Sequence, residues 1–300
     1  LKLGHVAIVG VGLIGGSFAL GLKAAGLATR ITGVGRSAAN LERGVELGVI
    51  DDICTDGSVY GQADFILLAT PVGQMARLMA QIAPQLKPGA VVTDGGSTKA
   101  DVAALAREHF GARLSQFVPA HPIAGAELSG VEAARVGLYQ GKKVIIAALP
   151  ETDAAAIEKV RTAWQACGAK IFEMSPAQHD ATFATVSHLP HLLAFALVDD
   201  IARRPEADTL FQYAASGFRD FTRIAGSSVE MWRDIAVANQ AALLKEMDAY
   251  MAALTIMRAQ LAAGDGEALA ATFANARRAR AAWLESIEKA EPPPSGDREA

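Results

Sequence analysis

The chain is short of cysteine, of surplus positive charge and of long uninterrupted apolar runs, and each shortage removes a class of function. Cys54 and Cys167 are the two cysteines of 300 residues; they stand far apart without metal-type spacing and read as ordinary thiols. The formal net charge of −4 leaves no basic field to hold a polyanion, so no nucleic-acid partner is expected. No run approaches the length that spans a bilayer and no signal peptide is visible, so no membrane partner and a cytoplasmic location are expected. No metal site is expected, and there is no internal repeat.

What is present is a chain that is 51% apolar and 20% charged, enough to bury a sizeable core in one large or two medium domains. Residues 5–10 (HVAIVG), 30–35, 65–70, 90–94, 116–120 and 143–148 are almost continuously apolar, as strands buried on both faces of a parallel sheet are. Helical patterns separate them. The fold class expected is α/β, a Rossmann-type doubly wound parallel sheet over 1–150, followed by a mainly helical substrate and dimerisation domain over 151–290 and a disordered tail, 291–300. In that second part Ser175, Pro176 and Gln178 form a helix start, and the apolar stretch after it predicts a deeply buried helix kinked at Pro190. A second start, SSVE at 227–230, leads into roughly 35 residues of helical period ending near Gly264, a length that suits pairing with a second copy.

Gly10, Gly12 and Gly15 form G-x-G-x-x-G between the first strand and a helix, with Leu13 and Ile14 in the turn. The first glycine permits the turn, the second admits a pyrophosphate, and the third lets helix and strand pack closely. The strand–loop–helix context makes dinucleotide binding the expectation; three glycines serving only a turn is the alternative. NAD sites commonly place an acid at the end of the second strand, but here that end reads GVGRS. Arg36 and Ser37 stand where a ribose 2′-phosphate would lie, which favours NADP and leaves NAD open.

Ligands in open α/β sheets sit beyond the C-terminal strand ends. That rule gathers Thr70, Pro71 and Val72, the DGGSTK segment with Ser97, and HPIAGAE with His121 onto the rim that carries the glycine loop. An imidazole there can take the proton from a carbinol as hydride leaves its carbon, and a neighbouring hydroxyl can hold the substrate oxygen. In the helical half, Arg223 stands among Phe, Trp and Ile and becomes a candidate for a substrate carboxylate, with pairing to Asp220 as the alternative.

The blocks GVGLIGGS, DGGSTK, HPIAGAE, MSPAQHD, VSHLPH, FRDFTRIA and MWRD resemble, in order and spacing, those of the TyrA family of prephenate and arogenate dehydrogenases. The resemblance spans roughly 5–285. It implies oxidative decarboxylation of a cyclohexadienol in tyrosine biosynthesis, with hydride passing to NAD(P)+, and a homodimer formed through the helical part. It implies His121 as the base on the 4-hydroxyl and Ser97 as its hydrogen-bonding partner. Arg223 and His188 would hold substrate, with Trp232 and Asp220 around them. Glu127 would border the substrate side chain, where a carboxylate either attracts the ammonium of arogenate or serves as a gate. Neither a chorismate mutase segment nor an added regulatory domain fits the chain, so tyrosine inhibition would act through the active site. A β-hydroxyacid-type dehydrogenase or a non-catalytic dinucleotide sensor are the rivals; the first needs a G-x-x-G-x-G-x-x-x-K helix that is not found after Pro150.

Overall fold

The computed structural model describes residues 2–125 and 130–290. The chain divides into two compact units, Leu1–Leu243 and Leu244–Ala300. The first opens with β1 (Gly4–Val9), α1 (Leu13–Ala24), β2 (Ala28–Val34), α2 (Ala38–Glu46), β3 (Asp52–Cys54), β4 (Phe65–Leu68), α3 (Met75–Ile82), β5 (Val91–Asp94), α4 (Ala100–Phe110) and β6 (Phe117–Val118). All six strands are parallel, in the order β3-β2-β1-β4-β5-β6. The order reverses next to β1, so the crevice at its C-terminal end is the place for a ligand. Alternation along β1 shows why its sequence lacks a polar side: Val6 and Ile8 enter one core with Phe18 and Trp164, while Ala7 and Val9 enter another with Ile66, Met75 and Met79. Each such Val, Ile or Phe, taken wholly out of water, contributes about 1.5–3 kcal/mol.

A second sheet follows, from β7 (Ala120–Pro122), β8 (Lys143–Ile146), α5 (Ala154–Ala166) and β9 (Lys170–Glu173). Here β7 runs antiparallel to β8 and β9 parallel to it. Trp164 of α5 lies 4.5 Å, centroid to centroid, from Phe18 of α1. A boundary at residue 150 therefore parts α5 and β9 from the sheet and core they join.

The helical part begins with α6 (Pro176–Phe183), capped as expected by the Ser175 side chain accepting from the Gln178 amide. One π-helical turn, 184–188, follows and runs into α7 (Leu189–Ala202), with Pro190 at its start. The proline cannot donate to the carbonyl one turn back, and the wider turn absorbs that loss. The continuous helix is not deeply buried: α7 buries only Leu189 and Ala194, and Val186 is 65% exposed. By length and composition alone, Pro176–Ala202 could cross a membrane, contrary to the expectation from sequence; the core helix of a soluble protein passes the same test. Next come α8 (Ala207–Gln212), α9 (Ser216–Thr222) and α10 (Val229–Ala238), the last capped by the Ser228 hydroxyl. The long helix expected after SSVE is broken at Asn239, and α11 (Gln240–Ala262) follows it. The second unit holds the rest of α11, a left-handed Gly264 (φ 64°) and α12 (Gly266–Ala290). The tail 291–300 lies outside the described residues.

Candidate active site

The three glycines do three different things. Gly10 has φ 96°, and a Cβ on it would meet the Ala69 carbonyl oxygen at 2.5 Å. A Cβ on Gly15 would lie 2.2 Å from the Gly10 carbonyl oxygen, so α1 packs on β1 with no room for a side chain. A Cβ on Gly12 meets nothing within 4 Å, which leaves the backbone at the start of α1 open to an anion. Beside it the Thr70 hydroxyl is buried without a partner. An open glycine at a helix N-terminus and an unsatisfied hydroxyl fit a dinucleotide phosphate.

The rim segments do converge. Gly12, Leu13, Ile14, Thr70, Pro71, Val72, Ser97, His121 and Arg223 line one cavity of about 590 Å³. That volume lies within the range of small-molecule and cofactor sites. Gly10 and Gly15 shape the loop from behind. Arg36 is exposed beyond the end of β2, and Ser37 caps α2 by accepting from the Asn40 amide at 3.2 Å; neither belongs to the cavity wall.

His121 sits in β7, paired with Ile145 of β8. Its Nδ1 lies 2.8 Å from Nε2 of His179, and Nδ1 of His179 lies 2.7 Å from Oδ1 of Asp180. The Asp180 carboxylate in turn accepts from the backbone amides of Lys99 and Ala100, each at 2.8 Å, at the N-terminus of α4. Burial alone would raise the Asp180 carboxyl, but His179 and these two amides outweigh it and hold the group below its ordinary value. Burial also lowers His179, against the opposing pull of Asp180. His121 is driven well below the ordinary imidazole value, first by burial and then by His179, Lys99 and His188, which disfavour a second positive charge beside them. Lys99 itself is fully buried and ion-paired with the equally buried Asp94.

The helical side supplies Arg223, Ser227, Ser228, Met231 and Ile235 to the cavity. Arg223 is exposed to solvent at this wall, close enough to the His191 ring to lower its proton affinity. Asp220 is exposed as well, and its charge partner is Arg219 at 3.5 Å. His188 and Trp232 are buried, ring edge to ring face at 5.9 Å, and lie behind the cavity wall rather than in it. Burial pushes His188 down to about 4, so it is neutral near pH 7. Its Nδ1 faces the Asn239 amide nitrogen at 3.1 Å. That amide donates, so the proton of the neutral ring sits on Nε2. His191 stacks on Trp232 at 3.5 Å and reaches the Ser187 carbonyl. Glu127 lies outside the described residues. Among those described, no cluster of His, Cys, Asp or Glu could hold a metal ion.

Comparison with known families agrees with this geometry. Residues 18–173 match the model of the prephenate dehydrogenase nucleotide-binding domain, and 175–275 that of the prephenate dehydrogenase dimerization domain. The chain belongs to the prephenate dehydrogenase family. Cyclohexadienyl dehydrogenase of Zymomonas mobilis is 34% identical over 281 residues, 93% of this chain and 95% of the relative. Prephenate dehydrogenase of Bacillus subtilis is 35% identical over 276 residues, covering 91% of this chain and 74% of its own. A crystal structure of prephenate dehydrogenase from A. aeolicus with hydroxyphenyl propionate and NAD+ is 37% identical, covers 93% of this chain and 98% of that one, and superposes with a TM-score of 0.88. Arogenate dehydrogenase from Synechocystis is 29% identical over 93% of this chain and 99% of its own, with a TM-score of 0.79.

The sequence reading gave no role to His179 and Asp180, although both stand in the MSPAQHD block. An adjacent His-Asp pair one turn inside a capped helix was the available signal. It also missed Asn239, which carried no signal beyond being a polar residue in an apolar period.

Proposed function

We propose that this chain catalyses the oxidative decarboxylation of prephenate, and of arogenate as a second substrate, with a nicotinamide dinucleotide as oxidant. The observation that carries this reading is one cavity lined jointly by the glycine loop, Ser97, His121 and Arg223. Bound along Gly12, Leu13, Ile14 and Thr70, the dinucleotide supplies the hydride acceptor. Nε2 of His121 is the ring nitrogen not committed to His179, and it takes the proton of the substrate 4-hydroxyl. The Ser97 hydroxyl holds that oxygen. The Arg223 guanidinium holds a substrate carboxylate from the helical side. Glu127, by residue type, suits the ammonium of arogenate. Initial rates with both cyclohexadienes and both dinucleotides test this reading; it fails if no combination reduces a dinucleotide.

NADP is the preferred cofactor on this reading, supported by Arg36 beyond β2 and by the absence of an acid from Gly35 to Asn40. Replacing Arg36 by aspartate should move the ratio of kcat/KM values toward NAD by at least tenfold, from loss of one charge-assisted contact worth about 1.5–3 kcal/mol. An unchanged ratio would count against Arg36 as the discriminator. Arg223→Ala should raise KM for prephenate by about 10- to 100-fold at unchanged dinucleotide affinity, for the same reason. Weakening of both ligands together would point to a structural role instead.

The protein works as a homodimer in the cytoplasm on this reading. Supporting the dimer, α11 and α12 expose Ile256 (62%), Leu261 (69%), Phe273 (57%) and Trp283 (59%), side chains that a second copy would cover. Light scattering should give twice the chain mass; a monomer at micromolar concentration would overturn it.

A further inference from the structure

Every hydrogen bond behind His121 has its direction fixed by the one next to it. Asp180 is held as an anion by two backbone amides, so it can only accept from His179. The His179 proton therefore sits on Nδ1, and its Nε2 presents a lone pair. That lone pair must receive the Nδ1–H of His121, 2.8 Å away, so His121 keeps Nε2 unprotonated and available to the cavity. Phe183 packs against both rings, at 5.1 and 4.5 Å, and blocks rotation out of this arrangement.

We propose that His179, backed by Asp180, is a positioning and proton-relay residue that receives the Nδ1 proton of His121 when His121 Nε2 takes the substrate's. The inference rests on His121 being the base. As hydride leaves the ring carbon for the dinucleotide, the O–H bond breaks and its electron pair forms the carbonyl. That proton bonds to His121 Nε2, the His121 Nδ1–H bond breaks, and the second proton bonds to His179 Nε2. His179 becomes an imidazolium whose Nδ1–H still faces the Asp180 carboxylate. As the carbon–carboxylate bond breaks, its pair restores the aromatic ring, the carbonyl oxygen recovers a proton and both shifts reverse. The positive charge thus spends its lifetime on the ring hydrogen-bonded to the Asp180 carboxylate, instead of on His121, which faces the Lys99 cation and the His188 ring. His179 itself faces Lys99, Asp94 and Asp180, two of the three being acids. A buried His121 is a weak base alone, and this transfer offsets that weakness.

His179→Gln supplies the test, because a glutamine carbonyl can accept from His121 Nδ1 but cannot take up its proton. Single-turnover dinucleotide reduction should fall by about 100-fold. KM for prephenate and dinucleotide affinity should stay within twofold. The acidic limb of the rate profile should move to lower pH, since the added proton can no longer rest on His179 beside the Asp180 carboxylate. In wild-type protein, rates in mixtures of light and heavy water should follow a curved dependence on deuterium fraction, the mark of two protons moving together. A wild-type rate in His179→Gln, an unmoved acidic limb or a straight-line dependence overturns the relay; where the variant does not fold, the deuterium dependence decides. His121→Asn separates the two claims. If it is inactive while His179→Gln is unaffected, only the relay falls; if it is fully active, the reading of His121 as base falls with it.

Discussion

Replacing His121 by asparagine lowers turnover of prephenate by about 10²- to 10⁴-fold, the range that a positioned general base contributes. Asparagine keeps a donor toward His179 and nearly the same side-chain reach, so β7 and its pairing with β8 should survive. Dinucleotide affinity should be unchanged, because the glycine loop and Thr70 stand at the ends of β1 and β4 and make no hydrogen bond to the imidazole, whose Nδ1 is engaged with His179. Circular dichroism and dinucleotide titration establish the fold, and single-turnover rates measure the loss. A variant within threefold of wild type would remove His121 from the chemistry.

The second large effect is on stability. Lys99 and Asp94 form an ion pair in which neither side chain reaches solvent. Asp94 also accepts from the amides of Gly96 at 2.8 Å and Ala120 at 3.0 Å, tying β5, the DGGSTK loop and the entry to β7 together. Lys99→Met leaves this carboxylate buried without its cation, and breaking such a pair costs about 3–5 kcal/mol. Burial already pushes the Asp94 carboxyl above its ordinary value, against Lys99 and the two amides. A raised value in the folded state means the neutral acid favours folding: that contribution is complete below the ordinary carboxylate value and is lost as pH rises through the raised one. With the cation gone, the deficit of Lys99→Met therefore deepens toward neutral pH and shrinks in acid. Urea denaturation at acid and neutral pH measures it. A loss under about 1 kcal/mol, or one that does not vary with pH, contradicts this account.

The sheet was legible because strands covered on both faces need mostly apolar residues: β4 is Phe-Ile-Leu-Leu throughout, and β1, β5 and β8 are apolar apart from His5, Thr93, Asp94 and Lys143. β3, three residues long and opening on Asp52, gave no such run, and β7 is the tripeptide Ala-His-Pro, which pattern alone reads as a turn. The glycine loop and the meeting of Ser97 with His121 followed from topology, since parallel strands deliver their C-terminal ends to one rim. The helical half was legible at the Ser175 cap, where the local hydrogen bond is decided by neighbouring residues, and the start within SSVE was legible to one residue, its cap being Ser228. It was not legible in the π turn, in the break at Asn239 or in how much of α7 is covered, because those depend on what packs alongside. The same holds for His188: its helix position was clear, but its place behind Trp232 is a matter of tertiary packing.

On the proposed function, this cavity converts a cyclohexadienol to an aromatic product while a dinucleotide is reduced. Carbon dioxide released and dinucleotide reduced can be measured simultaneously during reaction with prephenate. One carbon dioxide is expected for each dinucleotide reduced, with both lost together in His121→Asn. A protein that binds the dinucleotide but reduces none of it with prephenate or arogenate, or that reduces it without releasing carbon dioxide, does not carry out this reaction.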